Sequence, residues 1–208
     1  LGDTWIGLHE LELQEAYATA HDATLQNMTN ASWVTGKFGN ALKFDSANKS
    51  SNDTSGQWVD AGDWEMGGAT SISVWVKLDL LHNWQRIIDW GNAADVDNIL
   101  FAQVGGDSRG CLGLKDTTWT GHNEDFYSDY GFWQPNQWVH VATTVDEGGH
   151  DLCVSRLYSN GEVFGFAGDK STPRHMIRTK QYIGRSNWND RYLRGTMDDL
   201  RIYSSALT

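Results

Sequence analysis

Apolar and polar residues alternate one by one along two stretches of this chain, residues 72–78 and 139–145. Successive side chains of a β-strand point to opposite faces of the sheet, so this alternation is typical of a strand with one buried face. No comparable helical periodicity is sustained anywhere. Shorter strand-like runs occur at residues 58–61, 86–90, 99–104, 111–114, 152–158, 181–184 and 197–203. The pattern predicts an all-β fold, an antiparallel β-sandwich of two sheets.

Turn-forming residues separate these runs, for example Gly67-Gly68 and Gly105-Gly106-Asp107. Asn160-Gly161 is a hairpin signal, because both residues tolerate the positive φ of a type I′ turn. No break in composition divides the chain, so one domain is predicted over residues 1–208. The longest connection is residues 115–137. It contains six aromatic residues, which favours an ordered, functional loop.

The charge balance excludes several classes of partner. Sixteen Lys and Arg residues stand against 27 Asp and Glu residues, a net charge of −11. This sign argues against nucleic acid and against anionic membrane surfaces. No apolar stretch approaches the roughly 18 residues that a membrane span requires. The content of eleven tryptophans is unusually high, and it needs a structural or functional explanation.

Other features concern the compartment. The chain begins without an initiator methionine, which suggests a mature product or an excised domain. Cys111 and Cys153 can form one disulfide, and two buried reduced thiols are an equal alternative. Four Asn-X-Ser/Thr acceptors favour a secreted or cell-surface glycoprotein; they begin at Asn27, Asn30, Asn48 and Asn52.

Several stretches, in order, resemble the concanavalin A-like lectin/glucanase superfamily in its laminin G-like branch. They are residues 33–45, 71–77, 86–92, 97–99, 138–142, 157–161, 182–188 and 195–207. The ordered set covers nearly the whole chain from Leu8 to Leu207. The resemblance implies a jelly roll of two curved antiparallel sheets. Such domains include extracellular modules that bind glycans or proteins, and accessory domains of polysaccharide-degrading enzymes.

Glycoside hydrolysis needs two carboxylates that face each other across the scissile bond. The nearest sequence pattern is the run from Glu10 to Glu15, which lacks an Asp and lies at the amino-terminal edge. No zinc-type His spacing and no Gly-X-Ser-X-Gly motif is present. The sequence therefore predicts a protein that is not an enzyme.

Sugars are bound by aromatic rings together with planar amides, carboxylates and guanidinium groups. Residue types of this kind occur together at two predicted strand ends, residues 89–98 and 185–188. The long connection at residues 115–137 adds two tryptophans. The predicted ligand-binding residues are Asp89, Trp90, Asn92, Asn98, Trp119, Trp133, Arg185, Asn187 and Trp188. An internal polar network is the alternative for Asp89, Asn98 and Arg185. Trp75 and Trp138 are expected in the core, and His140 in the interior.

The resemblance also implies a structural calcium ion. Glucanases of the superfamily often hold calcium through an Asp that opens the last strand, and Asp198 matches that position. Backbone carbonyls of the amino-terminal segment and of the turn near Gly39 would complete the site, with Asp45 a weaker addition. The alternative is that Asp198 bonds backbone amides without an ion. A second calcium on Asp89, Asp95, Asp97 and Asn98 is a weaker hypothesis.

Together these observations predict a secreted, non-catalytic, lectin-like carbohydrate-binding module with a structural calcium. A protein–protein adhesion or assembly module is the first alternative, with residues 115–137 as the interface. A sandwich-fold glycoside hydrolase is the second.

Overall fold

The computed structural model describes residues 5–7, 12–15, 18–117, 123–147 and 152–208. Within these residues the chain forms nineteen β-strands and one 3₁₀ turn (Asn30–Ser32), with no α-helix. The first ten strands are β1 Trp5–Gly7, β2 Glu12–Glu15, β3 Ala18–Asp22, β4 Thr24–Gln26, β5 Trp33–Thr35, β6 Asn40–Asp45, β7 Trp58–Asp60, β8 Trp64–Met66, β9 Thr70–Leu78 and β10 Arg86–Gly91. The others are β11 Ile99–Gln103, β12 Gly110–Lys115, β13 Asn123–Tyr127, β14 Val139–Glu147, β15 Leu152–Ser159, β16 Glu162–Ser171, β17 Met176–Arg178, β18 Lys180–Ile183 and β19 Arg194–Tyr203.

Two seven-stranded antiparallel sheets make up the sandwich. The front sheet has the order β13-β12-β11-β10-β18-β7-β4, and the back sheet has the order β16-β15-β14-β9-β19-β6-β5. A three-stranded sheet, β1-β2-β3, and a two-stranded pair, β17-β8, accompany them. The prediction of an all-β antiparallel sandwich is confirmed.

The inward faces of both sheets form the core. Ile88 and Phe101 of the front sheet are fully buried, as are Val74 and Met197 of the back sheet. Removing apolar surface from water supplies about 25 cal/mol per Å². In β9 the apolar side chains lie on one face because they alternate with polar ones, so burial of that face is favoured and it points inward.

The outward face of the back sheet holds Trp75 and His140, which lie opposite each other in register. Their ring centroids are 5.3 Å apart, and both side chains are half-buried. Trp138, just before β14, is also half-buried, with Lys77 Nζ 5.5 Å from its ring centroid. The predicted core placement of these three residues is wrong, because the alternation that buries Ile72 and Val74 turns Trp75 outward.

The connection at residues 115–137 is not a continuous loop. It contains β13, which pairs with β12, and beyond it Phe132 and Trp133 are 0% and 2% exposed. The rings of these two residues meet edge to face at 4.8 Å. Trp133 is thus a core residue, and its predicted role in ligand stacking is wrong. Trp119 lies outside the described residues.

The two cysteines are free and buried. Cys111 packs on the outward side of the front sheet with Leu100 and Ala102, whereas Cys153 belongs to the core between the sheets. The predicted disulfide is wrong, because the front sheet separates the two thiols. Burial raises the pKa of the Cys111 thiol well above its usual range, and raises that of Cys153 to about 11. Both thiols are therefore protonated and unreactive at neutral pH.

Among the described residues, no helix is long and apolar enough to span a bilayer.

Candidate functional site

The strand β10 carries two neighbouring residues from the predicted site, and it sends them to opposite faces. Trp90 points into the core, where it is 0% exposed and packs edge to face against Trp64 at 5.0 Å. A ligand cannot reach this ring. The prediction that Trp90 binds ligand is therefore wrong.

Asp89 points to the outward face, where residues 185–190 cover it completely. Its Oδ1 accepts hydrogen bonds from Asn98 Nδ2 and Asn187 Nδ2, both at 2.9 Å. Its Oδ2 accepts from the Asn187 backbone N–H at 2.9 Å and lies 3.4 Å from Arg86 Nε. Asp89 and Asn98 are fully buried. The predicted ligand contact for this pair is wrong, and the alternative of an internal polar network is correct for them.

Asn92 and Asn187 have the same kind of role. Asn92 Oδ1 accepts from the backbone N–H and the hydroxyl of Thr179, at 3.0 and 3.2 Å. Besides its bonds to Asp89, Asn187 Nδ2 donates to Lys180 O at 3.2 Å. Both amides tie loops to strand ends. Because both are half-buried, a ligand contact for them stays a prediction.

The loop at residues 92–98 is held by Asp97. Its Oδ1 accepts from Arg174 Nη2 at 2.7 Å and from the Thr117 hydroxyl at 3.0 Å, and its backbone carbonyl accepts from Arg178 Nε at 2.7 Å. Asp89, Asp97 and Asn98 all face protein donors. No group of three His, Cys, Asp or Glu residues in the described ranges is placed to hold a metal, and the hypothesis of a second calcium here is wrong.

Burial by itself would raise the pKa of Asp97, but the hydrogen bonds from Arg174 and Thr117 lower it below its ordinary value. The unfolded chain then binds the proton more tightly, so ionised Asp97 stabilises the fold above about pH 4, and this contribution is lost as the pH falls through the lowered value. Asp97→Asn is expected to cost about 1 kcal/mol at pH 7, since Arg174 is partly solvent-exposed. Urea unfolding at pH 7 and pH 3 should show the difference from the parent shrink in acid. A cost that is equal at both pH values, or a similar pH effect in the exposed control Asp45→Asn, would contradict this.

A pocket of about 260 Å³ opens on the outward face of the front sheet. Trp84 and Trp188 line it, with Leu100, Arg86, Lys115 and the carboxylates of Asp95, Asp125 and Asp190. The Arg86 guanidinium carbon lies 5.6 Å from the Trp84 ring centroid and 5.5 Å from that of Trp188. Both indoles are half-buried, so part of each ring is available to a ligand.

The polar groups of this pocket are held in pairs. Arg86 Nη2 is 2.7 Å from Asp190 Oδ2, and Lys115 Nζ is 2.8 Å from Asp125 Oδ1. Burial raises the pKa of Asp190, while the charge of Arg86 opposes that rise. The result is a rim of fixed donors and acceptors beside apolar indole surface.

Arg185 lies on the other side of the covering segment. Its guanidinium carbon is 4.5 Å from the Trp58 ring centroid and 4.8 Å from that of Tyr182. These two rings meet edge to face at 4.7 Å. Of the predicted site residues, Trp188 reaches the pocket, and Arg185 belongs to a separate aromatic cluster on the same sheet. The sequence-based site did not include Trp58, Trp84, Arg86 or Tyr182.

Asp198, the predicted calcium ligand, is fully buried on the outward side of the back sheet. Its Oδ2 accepts from the Phe38 backbone N–H at 2.8 Å, whereas its Oδ1 is buried and accepts no hydrogen bond from the described residues. A Cβ on Gly36 would stand 2.5 Å from Oδ2, so only glycine lets this turn approach the carboxylate.

Gly39 ends that turn with φ 66°, and its carbonyl accepts from the Gly36 N–H at 2.8 Å. The strand β1 lies beside β19. A buried carboxylate oxygen that accepts no hydrogen bond from the described residues fits the oxygen ligands that calcium takes. Asp45 does not fit. Asp45 lies opposite Arg194, and Arg194 precedes Asp198 by four residues in β19. The Asp45 side chain is 64% exposed, so the prediction of Asp45 as a ligand is wrong.

The predicted glycosylation sites differ in their surroundings. Asn30, Asn48 and Asn52 are exposed, and their modification stays a prediction. Asn27 Nδ2 donates to the carbonyls of Thr54 and Gly56, at 2.8 and 2.7 Å. A glycan on that nitrogen would displace these bonds, so Asn27 does not fit an acceptor in the folded protein.

Two antiparallel sheets that share one core, with loops folded over an outward face, define a β-sandwich of the concanavalin A-like class. A laminin G-like family model, described as the concanavalin A-like lectin/glucanases superfamily, matches residues 50–208. The chain belongs to this superfamily.

Solved structures with this fold include several sugar-binding domains. Domain 4 of AbnA, a GH43 extracellular arabinanase from Geobacillus stearothermophilus in complex with arabinotriose, has a TM-score of 0.71 and 19% identity, with 100% of this chain and 94% of that chain covered. The CBM40 of a Ruminococcus gnavus IT-sialidase bound to α2,3-sialyllactose has a TM-score of 0.56 and 12% identity, with 69% and 79% covered. The ligand-binding domain of botulinum neurotoxin serotype D in complex with N-acetylneuraminic acid has a TM-score of 0.59 and 16% identity, with 99% and 48% covered. At these identities the likeness extends to the fold alone. No curated protein matches the chain in sequence.

Proposed function

We propose that this protein is a non-catalytic carbohydrate-binding module whose site is the pocket between Trp84 and Trp188. The observation that carries the proposal is two partly exposed indoles beside paired, fixed polar groups. Indole rings pack against the apolar C–H surface of a sugar, and the polar rim exchanges directed hydrogen bonds with its hydroxyls. The arabinotriose and sialyllactose complexes of proteins with this fold add support.

Binding without hydrolysis is supported by the state of the pocket carboxylates. Asp190 is paired with Arg86, and Asp125 with Lys115. Asp95 is the one pocket carboxylate that forms no ion pair with the described residues. A glycosidase needs two carboxylates free to act on opposite sides of a glycosidic bond. Release of reducing sugar from a polysaccharide panel would favour the hydrolase alternative instead.

The adhesion alternative placed an interface on residues 115–137. In the described part of that segment, Phe126, Phe132 and Trp133 are buried. These three rings therefore stabilise the sandwich and are not available to a protein partner. Tyr127 and Tyr130 of the same segment are exposed, but Tyr127 lies beside Trp84 of the pocket, which makes the sugar-binding proposal the stronger one.

Trp84→Ala and Trp188→Ala are each expected to weaken glycan binding about 10- to 100-fold, because each removes one stacking surface at the centre of the site. Isothermal titration with the glycans that a panel identifies would measure the loss. Trp138→Ala is the matched control, since this tryptophan is also half-buried but lies beside the back sheet. A panel on which the parent binds no glycan, or an equal loss in Trp138→Ala, would overturn the proposal.

The proposal includes a structural calcium ion. Asp198 would hold it through Oδ1, and backbone carbonyls of the turn at Gly39 and of the amino-terminal segment would supply further oxygen ligands. The ion would join the amino-terminal segment to the last strand and stabilise the fold by binding the native state alone.

Calcium at 100 times its dissociation constant is expected to add about 2.7 kcal/mol to the free energy of unfolding, and to raise the melting temperature by roughly 5–10 °C. Asp198→Asn should remove this response. Asp45→Asn should keep it, because Asp45 lies on β6 opposite Arg194 and not beside Asp198. Thermal scans in calcium and in a chelator provide the measurement. A parent protein that melts at one temperature in both would contradict the calcium proposal while leaving the sugar site intact.

A secreted or cell-surface location is part of the proposal. It is supported by the exposure of Asn30, Asn48 and Asn52 in their acceptor motifs, which an oligosaccharyltransferase could modify.

A further inference from the structure

A row of four aromatic rings and two guanidinium groups starts in the pocket and continues beyond it. We call this row the aromatic ladder; its members are Trp188, Arg86, Trp84, Tyr127, Arg109 and Tyr130. The guanidinium carbon of Arg86 lies 5.5 Å from the Trp188 ring centroid and 5.6 Å from the Trp84 ring centroid. The Trp84 and Tyr127 centroids are 6.5 Å apart. The Arg109 carbon lies 5.6 Å from the Tyr127 ring and 4.9 Å from that of Tyr130.

Exposure increases along the ladder. Trp188 and Trp84 are half-buried at the pocket, Tyr127 is 41% exposed, and Tyr130 is 68% exposed. Stacking on arginine fixes the orientation of each ring and leaves its outer surface open. Tyr127 and Tyr130 are joined through Arg109, so their exposed rings form a surface that continues from Trp84 of the pocket.

The size of the pocket fits this arrangement. Its volume of about 260 Å³ is below the range of roughly 300–1,000 Å³ that encloses drug-sized ligands. The pocket can therefore enclose only a small part of a longer ligand. The remaining units of such a ligand would lie on Tyr127 and Tyr130.

The charges of the ladder and pocket are nearly all compensated. Arg86 is paired with Asp190, Lys115 with Asp125, and Arg109 Nη2 with Asp107 Oδ2 at 2.8 Å. Asp95 then leaves the lining of the pocket with an excess negative charge, in a chain whose net charge is −11. A carboxylated or sulfated sugar would meet no unpaired cation among the described residues of the pocket and ladder, and it would be repelled.

We infer that the site binds neutral, unbranched oligosaccharides of several units, with one end in the pocket and the chain along the aromatic ladder. This inference rests on the proposed sugar-binding function. It separates the protein from those with the same fold whose structures hold sialylated ligands.

The test is a calorimetric titration with neutral linear arabino-, xylo-, gluco- and galacto-oligosaccharides of two to six units. Oligogalacturonides, and sialyllactose compared with lactose, serve as acidic counterparts. For the neutral series that binds, the dissociation constant is expected to fall at least ten-fold between the disaccharide and the longest member. Acidic counterparts should bind at least ten-fold more weakly at low salt, and this gap should narrow as salt screens the repulsion.

Tyr130→Ala is expected to weaken binding of the longest neutral member about ten-fold and to affect the disaccharide less. Trp138→Ala should match the parent with both ligands. Because the Tyr130 side chain is largely exposed, its removal should leave the melting temperature unchanged, which confirms that the variant is folded.

An affinity that does not change with chain length would overturn the extended-chain part of the inference, and tighter binding of the acidic series would overturn the neutral part. Either result leaves the proposed function standing, because sugar still binds. If neither series binds, the proposed function fails, and this inference fails with it.

Discussion

Asp89→Ala is expected to lower the free energy of unfolding by about 3–5 kcal/mol, because the substitution removes one partner from a fully buried charged network. Arg86 keeps Asp190 as a partner, but the amides of Asn98 and Asn187 lose their shared acceptor. Each buried donor left without an acceptor costs about 1–3 kcal/mol. The melting temperature should fall by roughly 6–20 °C.

Asp60→Ala is the matched control, since Asp60 lies on the same face of the front sheet and accepts one bond, from Gly62 N–H at 3.1 Å. It should cost about 1 kcal/mol or less. Denaturant unfolding monitored by circular dichroism measures both. Equal losses in the two variants would show that the Asp89 network is not what holds the segment at residues 185–190.

Trp90→Ala is expected to cost about 3–5 kcal/mol, because a large cavity opens in the core beside Trp64. Trp90→Phe should cost much less, about 1–2 kcal/mol. The indole Nε1 of Trp90 is buried and donates to no acceptor among the described residues, so phenylalanine removes volume without breaking a hydrogen bond to them.

The pair of Trp90 variants also tests the location of the proposed sugar site. Trp90→Phe should bind glycan as the parent does, since this ring lies on the core side of β10. Chemical unfolding gives the stabilities, and titration calorimetry gives the affinity. A folded Trp90→Phe protein that has lost glycan binding would mean that a ligand reaches this ring, contrary to the buried position seen here.

Alternation along the strands allowed much of the fold to be predicted. Ile72 and Val74 face inward as the pattern requires, and the Asn160-Gly161 turn has the positive φ values of 50° and 85° that the hairpin prediction needs. The strand β13 was not predicted, because its residues are mostly polar and it lies at the edge of the front sheet. Pairing with β12, not local pattern, makes it a strand.

The candidate site was predicted only in part, for a related reason. The sequence pattern groups Asp89 and Trp90 as neighbouring sugar-binding residues, although adjacent residues of a strand point to opposite faces. The same rule applied to Val59 and Ile183, which face inward, would have placed Trp58 and Tyr182 on the outward face. No local sequence pattern predicts that the rings of Trp84, Tyr127 and Trp188 lie close together. These residues are far apart in sequence and come together only through the order of strands in the sheet.

The shielded state of Cys111 and Cys153 has a practical consequence. A single new cysteine at the rim of the pocket, such as Asp95→Cys, can carry a maleimide fluorophore while both native thiols stay unlabelled in the folded protein. Such a conjugate would act as a reagentless optical sensor that responds to arriving sugar, built without removing any residue from the interior.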